Sequence, residues 1–201
     1  MDDSVRRSME KFPNTPVVYG WLRLDRRGTW WIRTARIDHY KIRAFIGRNY
    51  DVDERGCYYF QNGAQRVFAE LDVTPWVYSV AEDSGDGLCV LTHTDQVVEQ
   101  IVGAYLSDTG DLLLDTEFGV GVVNDRDLVR AYGLMCDAQG DSLGEDAVLT
   151  ELESLLETGV SELLYIDYRD TRVKVQAIQF EDVADTFGFV PKPTKAIPSC
   201  S

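Results

Sequence analysis

Along residues 17–32, VVYGWLRLDRRGTWWI, two apolar and aromatic runs flank Asp25-Arg26-Arg27-Gly28. Alternation with a period of two, broken by a polar stretch ending in glycine, predicts a β-hairpin. Gly28 supplies the positive φ of the turn, and Leu22, Leu24, Trp30 and Ile32 face a core. The period then changes. Ile42, Phe45 and Ile46 form an i, i+3, i+4 stripe, Asp38 stands at a capping position, and Ile37 and Ile42 bracket it as a hydrophobic staple, so a short amphipathic helix is predicted over about 39–50. Hairpin patterning resumes with Asp53-Glu54-Arg55-Gly56 and CYYFQNGAQRVFAEL, where Asn62-Gly63 offers a tight turn. A strand around Trp76 to Val80 follows Pro75.

The next stretch echoes the first. Thr94 is placed to cap a helix carrying Val98, Ile101 and Val102, 56 residues after Ile42, Phe45 and Ile46, with Gly103 against Gly47. Asp108-Thr109-Gly110 and DLLLDTEFGVGVV match Asp53 to Gly56 and its strands at an offset of 54, which suggests a duplicated helix-plus-hairpin unit. A helical segment at about 126–158 follows, in two pieces. Asp125 caps one that carries Leu128, Val129, Tyr132 and Met135. Ser142 and Glu145 have capping-box spacing ahead of Val148, Leu149, Leu152, Leu155 and Leu156, with Gly159 as the stop. A final hairpin, LLYIDYRDTRVKVQAIQF, puts Val173, Val175 and Ala177 on a buried face and Arg172, Lys174 and Gln176 on a wet one. The expectation is an α+β fold of antiparallel β-hairpins with short packing helices. It forms a single domain with two lobes, about 13–81 and 88–190, a polar junction at 82–87, and a proline-containing tail at 191–201 that carries Cys200 and little core packing.

Composition narrows the function classes. With 201 residues, 44% hydrophobic and 27% charged, the chain has ordinary globular composition and falls outside the regime of disorder. Met1 to Phe12 is charged and lacks the apolar run of a signal peptide, and no stretch is long and apolar enough to span a bilayer, so a cytoplasmic location without membrane attachment is expected. Cys57, Cys89, Cys136 and Cys200 form no CxxC pair and read as free thiols. Charge is uneven. Residues 1–80 carry 13 Lys and Arg against 10 Asp and Glu, a net of +3, whereas 81–201 carry 7 against 24, a net of −17. Such a split steers a basic partner to the acidic half or lets two copies associate head to tail.

The phrases GWLRLDRRGTWW, YYFQNGAQRVFAEL followed by TPWVYSV, and LLLDTEFGVGVVNDRDL resemble an uncharacterised proteobacterial family, a domain of unknown function, over roughly residues 17–136. The resemblance implies a bacterial cytoplasmic protein. It implies no activity and carries over no catalytic residue.

Candidate chemistry is sparse. His39 and His93 each stand near the start of a predicted helix, where a neutral imidazole is favoured, but neither has a second His or Cys at ligand spacing, so no metal is expected. No GxSxG is present, and Gly119-Val120-Gly121 lies inside a strand pattern instead of opening a phosphate-binding loop. The acidic residues around Asp108, Asp111, Asp115 and Glu117 lack calcium-loop spacing, and no cofactor is implied. The most suggestive surface is a candidate binding patch of Trp30, Arg33, Arg36, Lys41 and Arg43, with Trp31, Arg26 and Arg27 nearby and one of the two tryptophans expected in the core. Against a net charge of −14, nucleic acid is a disfavoured partner, and an acidic protein or the acidic third of another copy fits better. The expected function is a non-catalytic protein-interaction or regulatory role. The alternative is a small-molecule-binding protein or unrecognised enzyme with a site between the two lobes.

Overall fold

One five-residue turn recurs through the structure, a computed structural model that describes residues 1–82, 87–159, 161 and 163–195. In Asp25–Thr29, Asp53–Cys57, Thr92–Gln96, Ser107–Asp111 and Asp137–Asp141, the first residue's N–H donates to the fifth residue's carbonyl, and the fourth residue's N–H donates back to the first carbonyl. The first side chain, always Asp, Ser or Thr, accepts from the fifth N–H. The fourth residue takes a positive φ: Gly28, Gly56, Asp95, Gly110 and Gly140. This is the three-residue hairpin loop with a left-handed fourth position, and a short polar side chain at its start satisfies the donor that the tight bend would strand.

The chain forms two compact units, Met1–Pro75 with Gly188–Ser201, and Trp76–Phe187. In unit 1 the elements are α1 (Asp3–Lys11), β1 (Val18–Leu24), β2 (Trp30–Ile32), β3 (Ala35–Arg36), α2 (Tyr40–Arg48), β4 (Tyr50–Val52), β5 (Tyr58–Asn62) and β6 (Gln65–Leu71). They build a six-stranded sheet in the order β3-β2-β1-β6-β5-β4. All neighbours are antiparallel except β1 and β6, which run parallel with a register irregularity between Val18 and Leu22. α2 lies over one face. On the other, Cys57, Tyr59 and Phe68 pack with Tyr19 and Val190. The C-terminal return is stitched in: Val190 N–H donates to the Gly56 carbonyl, Leu71 N–H donates to the Pro191 carbonyl, and Phe189 and Pro193 are buried. Within the described part of the predicted tail, Pro191 and Pro193 belong to this packed strap and Lys192, Thr194 and Lys195 are exposed, while Cys200 lies outside the described residues.

Unit 2 contains β7 (Trp76–Glu82), β8 (Leu88–Thr92), β9 (Ile101–Ser107), β10 (Leu112–Thr116), β11 (Gly119–Val123), α3 (Leu128–Tyr132), β12 (Met135–Cys136), α4 (Glu145–Thr158), β13 (Tyr165–Tyr168), β14 (Thr171–Ile178) and α5 (Val183–Thr186). Its eight strands run β12-β13-β14-β9-β10-β11-β7-β8, with β14 and β9 parallel and β11 and β7 parallel. The fold is α+β, but the sheets are mixed, because hairpins join side by side through parallel pairs. The 82–87 stretch lies largely outside the described residues. Its flanks, Glu82 and Leu88, pair across the β7–β8 hairpin of a single sheet.

The duplication is present in the strands and absent from the helices. The order β2-β1-β6-β5-β4 reappears as β8-β7-β11-β10-β9, with the parallel pair at the same place. β5 and β10 coincide at the offset of 54, as do the turns at Asp53 and Ser107. No helix follows Thr94. Thr92 Oγ1 accepts the N–H groups of Thr94 and Gln96, Asp95 is left-handed, and Val98 N–H donates to the Val90 carbonyl, so Val98 and Ile101 are buried by extended backbone. The predicted stripe of Val98, Ile101 and Val102 fits either period over so short a run. Other departures are local. α1 was not foreseen; it is held by Val5 in the core and by Asp2 bonded to Arg48 and Asn49. His39, not Asp38, occupies the N-cap of α2, and Asp38 pairs with Arg36 instead. α3 stops at Tyr132 and leaves Met135 in a strand, and Ser142 does not cap α4, whose N-cap is Gly144. Ala177 is exposed.

Candidate functional site

α2 covers the sheet of unit 1 incompletely. Its nine residues bury Ile46 but leave Ile42 47% exposed, and beneath them Trp21 and Ile32 are nearly half exposed as well. Between the helix and strands β1, β2, β5 and β6 lies a groove of about 590 Å³, lined by Val18, Trp21, Leu22, Ile32, Ile42, Phe45, Phe60 and Val67, with Asn62 and Gln65 as its polar edge. Volume and lining match those of sites that take apolar ligand groups. No lining side chain is titratable.

The rim is cationic. Arg33, whose φ is +54°, turns its guanidinium over the Trp21 ring, 3.8 Å from the centroid, and its N–H donates to the Trp21 carbonyl. Lys41 and Arg43 stand exposed on either side of Ile42 in α2. Among the described residues none of these three enters an ion pair, whereas Arg36 is paired with Asp38 at 2.7 Å. A cation held over an indole face keeps its full charge, which remains available to an incoming anion.

The predicted patch is thus brought together in part. Arg33 stands over Trp21 of the groove wall, Lys41 and Arg43 are exposed neighbours of the lining residue Ile42 in the chain without lining the groove themselves, and Arg36 is engaged. Trp30 is a correction: at 1% exposure it is core, packed edge-on against Tyr50, because its position in β2 faces Leu24 and the buried side of the sheet. Trp31 points the other way, donating its indole N–H to Asp25 with Arg23 over its ring. The apolar members of the site, Trp21, Ile32, Phe60 and Val67, read singly as ordinary strand residues, and only their pairing across four strands reveals a groove.

The same place in unit 2 is full. Strand registers match Val18 to Trp76, Leu22 to Tyr78, Ile32 to Thr92, Phe60 to Leu114, Asn62 to Thr116 and Val67 to Gly121. There Tyr78 is fully buried, its ring lying where a Cβ at Gly121 would stand. Its hydroxyl donates to the Gly119 carbonyl and is hydrogen-bonded to Thr116 Oγ1, both at 2.7 Å. Trp76 packs against Phe118 and His93. An aromatic ring and its hydrogen bonds close in unit 2 what leucine and valine leave open in unit 1.

Other candidate groups are structural. His93 is half-buried, with Val77 N–H directed to its Nδ1, and desolvation of the ring lowers its pKa to about 3, so the ring is neutral. His39 is an exposed cap residue stacked on Tyr40. Burial raises the thiol pKa of Cys57 and Cys136, which makes both poor nucleophiles. Gly119 and Gly121 sit in β11, where close packing against Tyr78 and Trp76 requires glycine at 121 and a φ of +113° favours it at 119. Unit 2 has a recess of about 670 Å³ bordered by Glu82, Leu134, Asp167 and Arg169, in which Asp167 is engaged with Arg172 and Arg169 with Glu99. No group of three or more His, Cys, Asp or Glu able to hold a metal occurs among the described residues, and no described helix is long and apolar enough to cross a membrane.

No curated protein matches the chain. Two solved structures of DUF1285 family proteins are similar to it. One, from Silicibacter pomeroyi DSS-3, is 18% identical and has a TM-score of 0.45 over 61% of this chain and 73% of that one. The other, from Shewanella baltica OS155, is 14% identical and has a TM-score of 0.41 over 53% and 85%. A family model, DUF2944, described as "Protein of unknown function (DUF2946)", matches residues 1–194, reaching past the predicted 17–136 into the acidic third. The chain belongs to that family.

Proposed function

We propose that the chain is a non-catalytic cytoplasmic interaction protein, and that unit 1 receives an acidic amphipathic segment of a protein partner in the groove beneath α2. The observation that carries this reading is the apolar groove left open between α2 and the sheet of unit 1, on a strand face that unit 2, which has no counterpart of α2 among its described residues, covers with Tyr78 and Trp76. An amphipathic helix laid in an apolar groove uses anchors at i, i+3 and i+7, and Trp21, Ile32, Ile42 and Phe60 offer the complementary wall. Arg33, Lys41 and Arg43 supply charge for acidic flanks, which sets orientation and encounter rate more than affinity. A lining without titratable side chains supports binding over acid–base chemistry.

The test is fluorescence anisotropy of a labelled synthetic Leu/Glu amphipathic peptide. Binding is expected to weaken at least tenfold in Ile42→Glu and to fall with salt and with Lys41→Glu plus Arg43→Glu. Absence of binding, or binding indifferent to these variants, refutes the reading. A second reading, an apolar anionic small molecule in the same groove, is favoured by the volume alone. A thermal shift with a medium-chain fatty acid, lost in Ile42→Glu, would select it.

A further inference from the structure

Unit 2 carries a helix with the complementary features. α4, EDAVLTELESLLET, has Glu145, Asp146, Glu151, Glu153 and Glu157 and no basic residue. Val148 and Leu155 anchor it to its own core, and α4 contacts β9 and β14. A second line of leucines stands beside that buried edge: Leu149 at 40% and Leu156 at 46% exposure, with the half-buried Leu152 between them. Their spacing, i, i+3 and i+7, places them on one ledge of the helix, with Glu145 in line with it one turn before Leu149 and Glu153 at its side. A soluble helix gains nothing by leaving two of its five apolar positions wet, and an acidic run on one helix is repulsive unless cations meet it.

Building on the groove reading above, we infer that the occupant of the groove is the α4 ledge of a second copy of this chain, with Leu149, Leu152 and Leu156 beneath α2 and the α4 carboxylates over Arg33, Lys41 and Arg43. Charge complementarity supports this occupant. The +3 half of the chain bears the groove and the −17 half bears the ledge, and the three rim cations enter no ion pair among the described residues. Groove and ledge are different surfaces, so the contact is heterologous: each copy can give one ledge and accept another, and association proceeds head to tail to rings or open chains instead of stopping at an isologous dimer.

Sedimentation velocity of the full chain over a concentration series, with three proteins, decides the matter. Wild type is expected to form species larger than monomer that shrink at least tenfold in association constant between low and high salt. The groove variant Ile42→Glu and the ledge variant Leu149→Glu with Leu156→Glu are each expected to be monomeric. Their equimolar mixture is expected to give a 1:1 dimer that grows no further, since only one complementary pair of surfaces remains. All three positions are exposed, and thermal unfolding checks each fold; the Leu149→Ser, Leu156→Ser pair replaces the glutamates if α4 is lost. A monomeric wild type, self-association unchanged in the ledge variant, or a mixture that stays monomeric overturns the inference. The ledge variant keeps its groove, so its binding of the Leu/Glu peptide separates the two claims: peptide bound by a chain that never self-associates leaves the groove reading standing with a different partner, and peptide unbound removes both.

Discussion

Val67 in unit 1 and Gly121 in unit 2 occupy the same rung of the same strand plan, and the space above them is used in opposite ways. Over Gly121 lies the Tyr78 ring, tied down through Thr116 and Gly119. Over Val67 there is a groove with Ile42 and Phe45 on its far side. Glycine in a strand interior forfeits side-chain packing and conformational entropy, so its use in β11 makes sense only because a large ring takes the vacated volume. The comparison teaches that closing this site lies within the reach of the architecture, and that unit 1 keeps it open with residues that pack but do not fill.

Removing the plug is expected to have the largest effect. Tyr78→Ala empties a buried aromatic site and should cost about 3–5 kcal/mol in chemical denaturation, with Tyr78→Phe costing about 1–2 kcal/mol through the lost hydroxyl bonds. Gly121→Ala, whose new methyl would meet the Tyr78 ring, should cost about 1–3 kcal/mol, while Val67→Ala on the equivalent rung changes little. A loss of comparable size at Val67 would break the comparison. His93 adds a pH dependence to unit 2. Its folded pKa of about 3 lies below the ordinary value of 6.5, so the unfolded chain takes up the proton first, and stability falls as pH drops from 6.5 toward 3. The slope should approach about 1.4 kcal/mol per pH unit, readable between pH 6.5 and 5 before carboxylates titrate, and absent in His93→Phe. The smallest change in stability is expected where the comparison is sharpened most. Val18→Trp places in unit 1 the ring that Trp76 supplies in unit 2. Partial filling should raise stability by about 0.5–2 kcal/mol and abolish peptide binding. Binding that survives a filled groove would move the site elsewhere.

Hairpins were legible because their signals are local. Asp25 to Gly28 and Asp53 to Gly56 each carry a short polar residue and a glycine at the spacing the turn needs, and Asp108-Thr109-Gly110 marks the place of a third, whose first residue is Ser107. Thr92 to Gln96 makes the same turn with Asp95 in the glycine position, and this substitution is why Thr94 read as a helix cap. Parallel pairs such as β1 with β6 have no local signature, since their partners lie 49 residues apart at Val18–Val67 and 47 apart at Leu24–Leu71. The cations of the site were found because charge beside aromatics is visible in one segment. Its apolar wall was not, because Trp21, Ile32, Phe60 and Val67 come from four strands and read singly as core. Trp30 was assigned to the surface patch for want of a rule telling which of two adjacent tryptophans faces inward; the register of Leu24 with Trp30 decides it.

The strap from Gly188 to Pro193 sets an order of events during synthesis. Unit 2 is encoded between the two pieces of unit 1, so the ribosome releases all of Trp76–Phe187 before the residues that finish unit 1 emerge. Until then Cys57, Tyr59 and Phe68 lack Val190, and the Leu71 N–H and Gly56 carbonyl lack their partners. A nascent chain that has emerged from the ribosome only as far as Phe187 would carry a completed insert and an unsealed apolar face, and it is this species, more than the finished protein, that a chaperone would be called on to shield.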